Sequence, residues 1–176
     1  LVRGAYGRGY PMKDFKGKDL IVIGGGCGVA PLKGIIDYVE AHRKNFGVMN
    51  LFLGFRDPKD ILFRSYVTKW KKDHKLHISF DRAPEGVCFG GEVGFITQAV
   101  NDKTMFNRNT IAFVCGPPIM MDKTIEILKS KGFSDKSIWL SHERLMYCGF
   151  GKCGHCMIHG KYTCKDGPVF RLDELK

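Results

Sequence analysis

The sequence predicts an α/β protein: a doubly wound, parallel, five-stranded sheet followed by a small cysteine-rich module at the C-terminus. Three observations carry that expectation. Short, continuously apolar, β-branched runs alternate with amphipathic helical patterns, as in a buried parallel sheet with helices on both faces. The first of these runs opens into a glycine loop, Gly24-Gly25-Gly26-Cys27-Gly28, that leads straight into a helical pattern. Four cysteines, Cys148, Cys153, Cys156 and Cys164, crowd together near the end of the chain.

Residues 1–14 read as a connector, because Arg3-Gly4-Ala5-Tyr6-Gly7-Arg8-Gly9-Tyr10-Pro11 is dense in glycine and ends in proline, both strong breakers of regular structure. Residues 15–145 hold the α/β pattern. Asp19-Leu20-Ile21-Val22-Ile23 is the first strand, and Leu32, Ile35, Ile36 and Val39 follow the glycine loop at i, i+3, i+4, i+7 spacing, one face of a helix. Strand, glycine loop, helix is the arrangement that aims bare backbone N–H groups and a positive helix end at a pyrophosphate. Gly24, Gly25, Gly26, Cys27, Gly28, Val29, Ala30 and Pro31 are therefore candidate dinucleotide contacts; Pro31 fits the first helical turn, where a missing N–H costs nothing.

The second strand runs from Val48 to Phe55 and ends at Gly54-Phe55-Arg56-Asp57, where a dinucleotide fold meets the adenosine ribose. Gly54, Arg56 and Asp57 are candidates there, although Asp57 serves equally well as the cap of a helix continuing through Ile61, Leu62 and Tyr66. The third strand is Leu76–Phe80. The fourth, Thr110–Cys115, ends in Cys115-Gly116-Pro117-Pro118, ahead of a helix with Met121, Ile125 and Leu128 on one face; the fifth is Ile138–Ser141. Cys115 reads either as a contact at a strand end or as a small buried thiol. The thiols of Cys27 and Cys88 read as structural.

Residues 146–176 form the module. The run Cys148-Gly149-Phe150-Gly151-Lys152-Cys153-Gly154-His155-Cys156, with Cys164 beyond it, has the C-x4-C-x2-C…C spacing of a plant-type [2Fe–2S] site. Gly149, Gly151, Gly154 and Gly160 would let a tight loop turn its N–H groups toward the sulfurs. A structural zinc is the rival, but zinc ribbons pair two C-x2-C knuckles and only Cys153 and Cys156 form one. A thiol redox pair at Cys153 and Cys156 would ordinarily open a helix after a strand. His155 and His159 read as loop residues or hydrogen-bond donors beside the cluster.

Composition bounds the function further. The 176 residues carry a net charge of +10, from 28 basic and 18 acidic side chains. The lysines are scattered apart from Lys69, Lys71 and Lys72 beside Trp70, which read as a solvated helix face, so the charge points to an anionic dinucleotide or an acidic partner, with no nucleic acid. Without an apolar run of about 18 residues or a signal-peptide pattern, no membrane span is expected. Seven cysteines in such a chain suit a reducing, cytoplasmic compartment.

In this order, the Gly24–Pro31 loop, the Gly54-Phe55-Arg56 turn and Cys115-Gly116-Pro117-Pro118 resemble the ferredoxin–NADP reductase superfamily. Tyr6-Gly7 resembles the closing segment of the flavin domain that precedes this unit in the family. Ser141-His142-Glu143-Arg144 through Cys164-Lys165-Asp166-Gly167-Pro168-Val169-Phe170 is similar to the branch that appends a [2Fe–2S] module. The resemblance implies an NAD(P)H-dependent electron-transfer subunit that works with FAD and passes electrons to catalytic and other iron–sulfur subunits. The run Gly151–Cys156, with seven residues before Cys164, most resembles the sulfite reductase and sulfhydrogenase members; of these the resemblance favours the anaerobic sulfite reductase type, with the dihydroorotate dehydrogenase and cytoplasmic hydrogenase types as alternatives. By the same resemblance, flavin-binding residues lie N-terminal to Leu1, and Glu143 falls near the flavin–nicotinamide side. Hydride transfer between stacked rings needs no protein acid or base, so no catalytic residue is expected. Asp57, placed to accept from a ribose hydroxyl and repel a 2′-phosphate, favours NADH over NADPH.

Overall fold

β1 (Asp19–Gly25) is the centre of the sheet and the reason the rest assembles as it does. Its side chains alternate between two cores: Leu20 and Val22 face one, Ile21 and Ile23 the other, and all four are at most 2% exposed. Burying each such side chain contributes about 1.5–3 kcal/mol, so a strand apolar on both faces demands a layer of helices on each side. The computed structural model describes residues 3–82, 90–105 and 107–175; Cys88 lies outside them.

After β1 come α1 (Val29–Ala41), β2 (Met49–Phe55), α2 (Arg64–Asp73) and β3 (Lys75–Phe80). The chain continues through β4 (Glu92–Val93), α3 (Ile96–Lys103), β5 (Thr110–Cys115), α4 (Pro118–Ser130) and β6 (Ile138–Ser141). The C-terminal stretch adds the hairpin β7 (Met157–Ile158) and β8 (Lys161–Tyr162), and then β9 (Val169–Arg171). The main sheet has the order β4-β3-β2-β1-β5-β6-β9. Helices α1 and α2 cover the face that carries Leu20, Leu51 and Phe113; α3 and α4 cover the face that carries Ile21, Phe52 and Val114.

All five expected strands are present and parallel, with two additions. β4 extends the β3 edge in parallel, and β9 pairs antiparallel with β6 through Leu140 and Phe170. Phe170 is fully buried in the core shared with α4. The C-terminal stretch thus closes the main sheet as well as carrying the cysteines.

Two further differences concern helices. α3 was not anticipated; Ile96, Ala99 and Val100, spaced i, i+3, i+4, bury its inner face, a pattern too short to stand out among its polar neighbours. The helix expected to continue from Asp57 is interrupted: a 3-10 turn spans Pro58–Asp60, and α2 starts at Arg64 after Phe63 in the left-handed region at φ 56°. Lys69, Lys71 and Lys72 do lie on the outer face of α2, Lys69 paired to Glu40 at 2.5 Å, while Trp70 between them is fully buried. None of the described helices is long and apolar enough to cross a membrane.

Candidate functional site

The strand order reverses between β1 and β5, because the chain leaves β1 toward β2 and returns to build β5 on its other side. Open α/β sheets bind ligands in the crevice outside the carboxyl ends of their strands at such a point. Two loops meet there. Gly26–Gly28 forms a 3-10 turn leading into α1, and Cys115-Gly116-Pro117 leads into α4. They touch through Gly28: a Cβ at this position would lie 2.5 Å from the Cys115 carbonyl carbon and 2.7 Å from Gly116 Cα. Gly28 has an ordinary φ of −62°, so it is glycine for space and not for conformation.

Two cavities flank this contact and share Gly25, Gly26, Cys27 and Pro117. The larger, about 930 Å³, lies over β2 and β3. Gly54 and Arg56 line it, joined by Lys59, Asp60, Asp81, Lys123, Phe95 and Ile119. The other, about 620 Å³, lies over β5 and β6. Gly28, Cys115, Gly116 and Pro118 line it, with Met121, Ile125, Leu140 and Leu175 as an apolar wall and Asp122, His142, Glu143, Arg144 and His159 as the polar one. One elongated ligand with a charged centre at the glycine loop and a ring system at each end suits this pair of cavities.

Not every candidate contact reaches a cavity. Gly24 is buried in β1, Val29 is buried under α1, and Ala30 and Pro31 are exposed on its first turn; none of these lines either cavity. Asp57 lines neither cavity: its Oδ1 accepts from the Lys59 N–H at 3.1 Å and caps the 3-10 turn. The carboxylates that line the larger cavity are Asp60 and Asp81, neither of them among the sequence candidates. Asp81 follows β3 directly, at the strand-end position that Arg56 holds after β2, and that position is the signal in the chain that marks it.

Cys115 is 2% exposed. Burial raises its pKa from 9.0 to about 11, opposed by the Ser141 hydroxyl and reinforced by Glu143. At neutral pH it is a neutral thiol beside the smaller cavity. Burial likewise lowers the pKa of His142, and the nearby Arg144 and His159 act in the same direction.

The four C-terminal cysteines are all free thiols. Among the described residues no three His, Cys, Asp or Glu side chains converge as a single-ion site requires. The thiols hydrogen-bond in two pairs, Cys148 with Cys153 and Cys156 with Cys164, and Cys148 also acts on Cys164 across the pairs. Backbone donors point at them: Lys152 N–H lies 3.4 Å from Cys148 Sγ and Gly151 N–H 3.2 Å from Cys164 Sγ. N–H groups of Phe150, Cys153 and Lys152 lower the Cys148 thiol to about 6, whereas burial and the adjacent Cys156 raise that of Cys164. Gly149, Gly151, Gly154 and Gly160 all take positive φ, from 74° to 83°, which is how so short a loop turns its amides inward. Thiols in two pairs, facing backbone donors, fit a thiolate-ligated iron–sulfur cluster.

Fold and site together define a nucleotide-binding oxidoreductase domain. Residues 22–126 match the family described as "Oxidoreductase NAD-binding domain", and the chain belongs to it. Residues 143–176 match the "Iron-sulfur cluster binding domain of dihydroorotate dehydrogenase B". Among curated relatives, the sulfhydrogenase 2 gamma subunit of Pyrococcus furiosus is 37% identical over 96% of this chain and 64% of its own length. A probable electron transfer subunit of dihydroorotate dehydrogenase B (NAD(+)) from Methanocaldococcus jannaschii is 34% identical over 99% of this chain and 62% of its own. The chain therefore spans less than two thirds of these relatives. A solved NADH-dependent reduced ferredoxin-NADP oxidoreductase is 28% identical, with a TM-score of 0.65, over 89% of this chain and 55% of that one. The cytochrome b5 reductase domain of Ulva prolifera nitrate reductase, 22% identical with a TM-score of 0.60 over 70% of this chain and 48% of that one, shares the fold.

Proposed function

We propose that this chain is the nicotinamide-nucleotide and [2Fe–2S] portion of an electron-transfer subunit of the sulfhydrogenase-gamma or dihydroorotate dehydrogenase B type. It would work with an FAD held elsewhere in the full-length subunit and hand electrons to a catalytic partner subunit. The sulfhydrogenase and dihydroorotate dehydrogenase relatives favour these two types over the anaerobic sulfite reductase type.

The observation that carries this reading is the pair of cavities meeting at the glycine loop, with Ile158 and His159 of the cysteine module among the residues that line the smaller one. The loop amides and the start of α1 would hold the pyrophosphate. Arg56, Lys59, Asp60 and Asp81 would flank the adenosine ribose, and the two carboxylates support NADH over NADPH by repelling a 2′-phosphate. Cys115, Gly116, Pro117 and Pro118 would wall the nicotinamide, and Met121, Ile125 and Leu140 would keep water from it. Burial would keep Cys115 a neutral thiol beside the nicotinamide. Cys148, Cys153, Cys156 and Cys164 would hold the cluster; their C-x4-C-x2-C…C spacing supports a [2Fe–2S] centre over a zinc ribbon, which pairs two C-x2-C knuckles. When bound, flavin and cluster supply the conversion of a two-electron donor into single-electron steps.

Anaerobic reconstitution with iron and sulfide, followed by absorption and low-temperature electron paramagnetic resonance, tests the metal assignment. A colourless protein that binds zinc instead would refute it. Calorimetric titration with NADH tests the nucleotide site independently, and failure to bind would refute that half.

A further inference from the structure

Residues 3–8 do not behave as a free connector. The segment lies against the cysteine module, and its contacts fall at both ends of the ligand set. Arg3 Nη2 donates to the carbonyl oxygen of Cys148 at 3.1 Å, with the guanidinium 6.0 Å from the Tyr6 ring centre. Tyr6 lies under the backbone next to Cys148: a Cβ at Gly149 would stand 2.6 Å from Tyr6 Cζ. Beyond Tyr6 the strap crosses to the other side of the site. Gly7 has a φ of +72° and packs against backbone on both sides of Cys164, so that a Cβ there would stand 2.8 Å from the Gly167 carbonyl carbon and 3.0 Å from the Thr163 oxygen. The Arg8 N–H donates to the Gly167 oxygen, and Arg8 Nε donates to the Asp166 oxygen at 3.0 Å. The turn it grips is itself closed, since the Tyr162 oxygen accepts from the N–H groups of Lys165, Asp166 and Gly167, and Asp166 Oδ2 accepts from the Tyr162 N–H.

One cysteine from each pair, Cys148 and Cys164, is thus bracketed by a single short segment more than 140 positions away in sequence. The loop between them is mostly glycine, turns and bends, and has little core of its own. Without an external brace, its conformational entropy favours spreading the two sulfur pairs apart. The first residue of the strap also places a fixed positive charge at the peptide of a ligand.

We propose that Arg3–Arg8 is a strap that positions the two halves of the cysteine site, and that Arg3 tunes the reduction potential of the centre held there. This rests on the assignment of an iron–sulfur cluster to the four cysteines. A positive charge next to a ligand favours the reduced, more negative state of such a centre. Removing it should lower the midpoint potential, whereas removing the ring or the close approach should loosen the loop.

The test uses the reconstituted chain and three variants. Arg3→Gln keeps a donor for the Cys148 carbonyl but loses the charge. Its one-electron equilibrium should shift about threefold toward the oxidised form, the effect of one exposed charge a few ångströms away; that is about 30 mV, taking about 59 mV per tenfold for one electron. Arg3→Lys keeps the charge and should stay close to the wild-type potential. Tyr6→Ala should release iron to a chelator several-fold faster while binding NADH as tightly as the wild type, which also shows that the variant has folded. Wild-type potential in Arg3→Gln would overturn the tuning role, and wild-type iron release in Tyr6→Ala would overturn the strap. A wild-type chain that holds no cluster at all overturns the metal assignment and this inference with it; unchanged variants on an intact cluster overturn this inference alone.

Discussion

Replacing Gly28 with Ala tests the geometry on which the nucleotide site depends. Gly28 already adopts φ −62° and ψ −14°, which any residue accepts, so alanine carries no conformational penalty there. Its Cβ, however, meets the Cys115 carbonyl carbon at 2.5 Å and Gly116 Cα at 2.7 Å, both backbone atoms that cannot swing aside. Forcing a methyl group into such a contact costs about 1–3 kcal/mol. For a chain of this size that corresponds to a drop in melting temperature of roughly 4–8 °C at the middle of the range. The same displacement parts the two loops that bound both cavities. Losing even one or two hydrogen bonds to a charged phosphate, at about 1.5–3 kcal/mol each, weakens NADH binding at least about tenfold. Two other glycines serve as controls. Gly26 has φ +53° with nothing within 4 Å of a Cβ, so Gly26→Ala should lose about 1 kcal/mol from conformation alone. Gly34 is exposed inside α1 with open space around it, so Gly34→Ala should gain about 0.5–1 kcal/mol and leave NADH affinity unchanged. Differential scanning fluorimetry and isothermal titration calorimetry on the three variants read both quantities. If Gly28→Ala keeps the wild-type melting temperature and affinity while Gly34→Ala rises as expected, the two loops do not meet and the reasoning fails.

Serine at any one of Cys148, Cys153, Cys156 or Cys164 should bleach the visible spectrum of the reconstituted protein, and full iron content in Cys164→Ala would remove that residue from the ligand set. With an alkylating reagent at neutral pH, exposed Cys27 should react well before Cys115, and NADH should protect it; peptide mass spectrometry distinguishes the two sites. Cys115 carries a thiol pKa raised from 9.0 to about 11, so its contribution to stability is complete below pH 9 and is lost as pH rises toward 11. Cys115→Ala should flatten that part of the stability profile, and an unchanged slope would assign it elsewhere. Asp60→Asn and Asp81→Asn should each raise NADPH affinity relative to NADH in direct titrations; tighter NADPH binding by the unaltered chain would overturn the proposed nucleotide preference.

The features legible in the sequence are those that short stretches of chain encode by themselves. A continuously apolar, largely β-branched run such as Leu20–Ile23 has few alternatives to a buried strand, and the strands at Thr110–Cys115 and Ile138–Ser141 have the observed limits. The glycine loop follows the same logic, and so does the cysteine spacing, whose four glycines turn as the tight loop requires. Features that depend on distant partners were not legible. The sequence reading places Val169–Arg171 in the small module, but the free edge of β6 draws it into the main sheet, where burying Phe170 and pairing backbone groups outweigh a separate fold. Asp57 sits where a ribose contact is expected, yet its carboxylate reaches a nearer unpaired N–H at Lys59 first, and Asp60 and Asp81 face the cavity instead. Residues 3–8 read as a connector because glycine and proline break local structure. What orders them is backbone and ring contact with Cys148, Gly149 and Gly167, and a contact across so long a loop leaves no periodic trace in the chain.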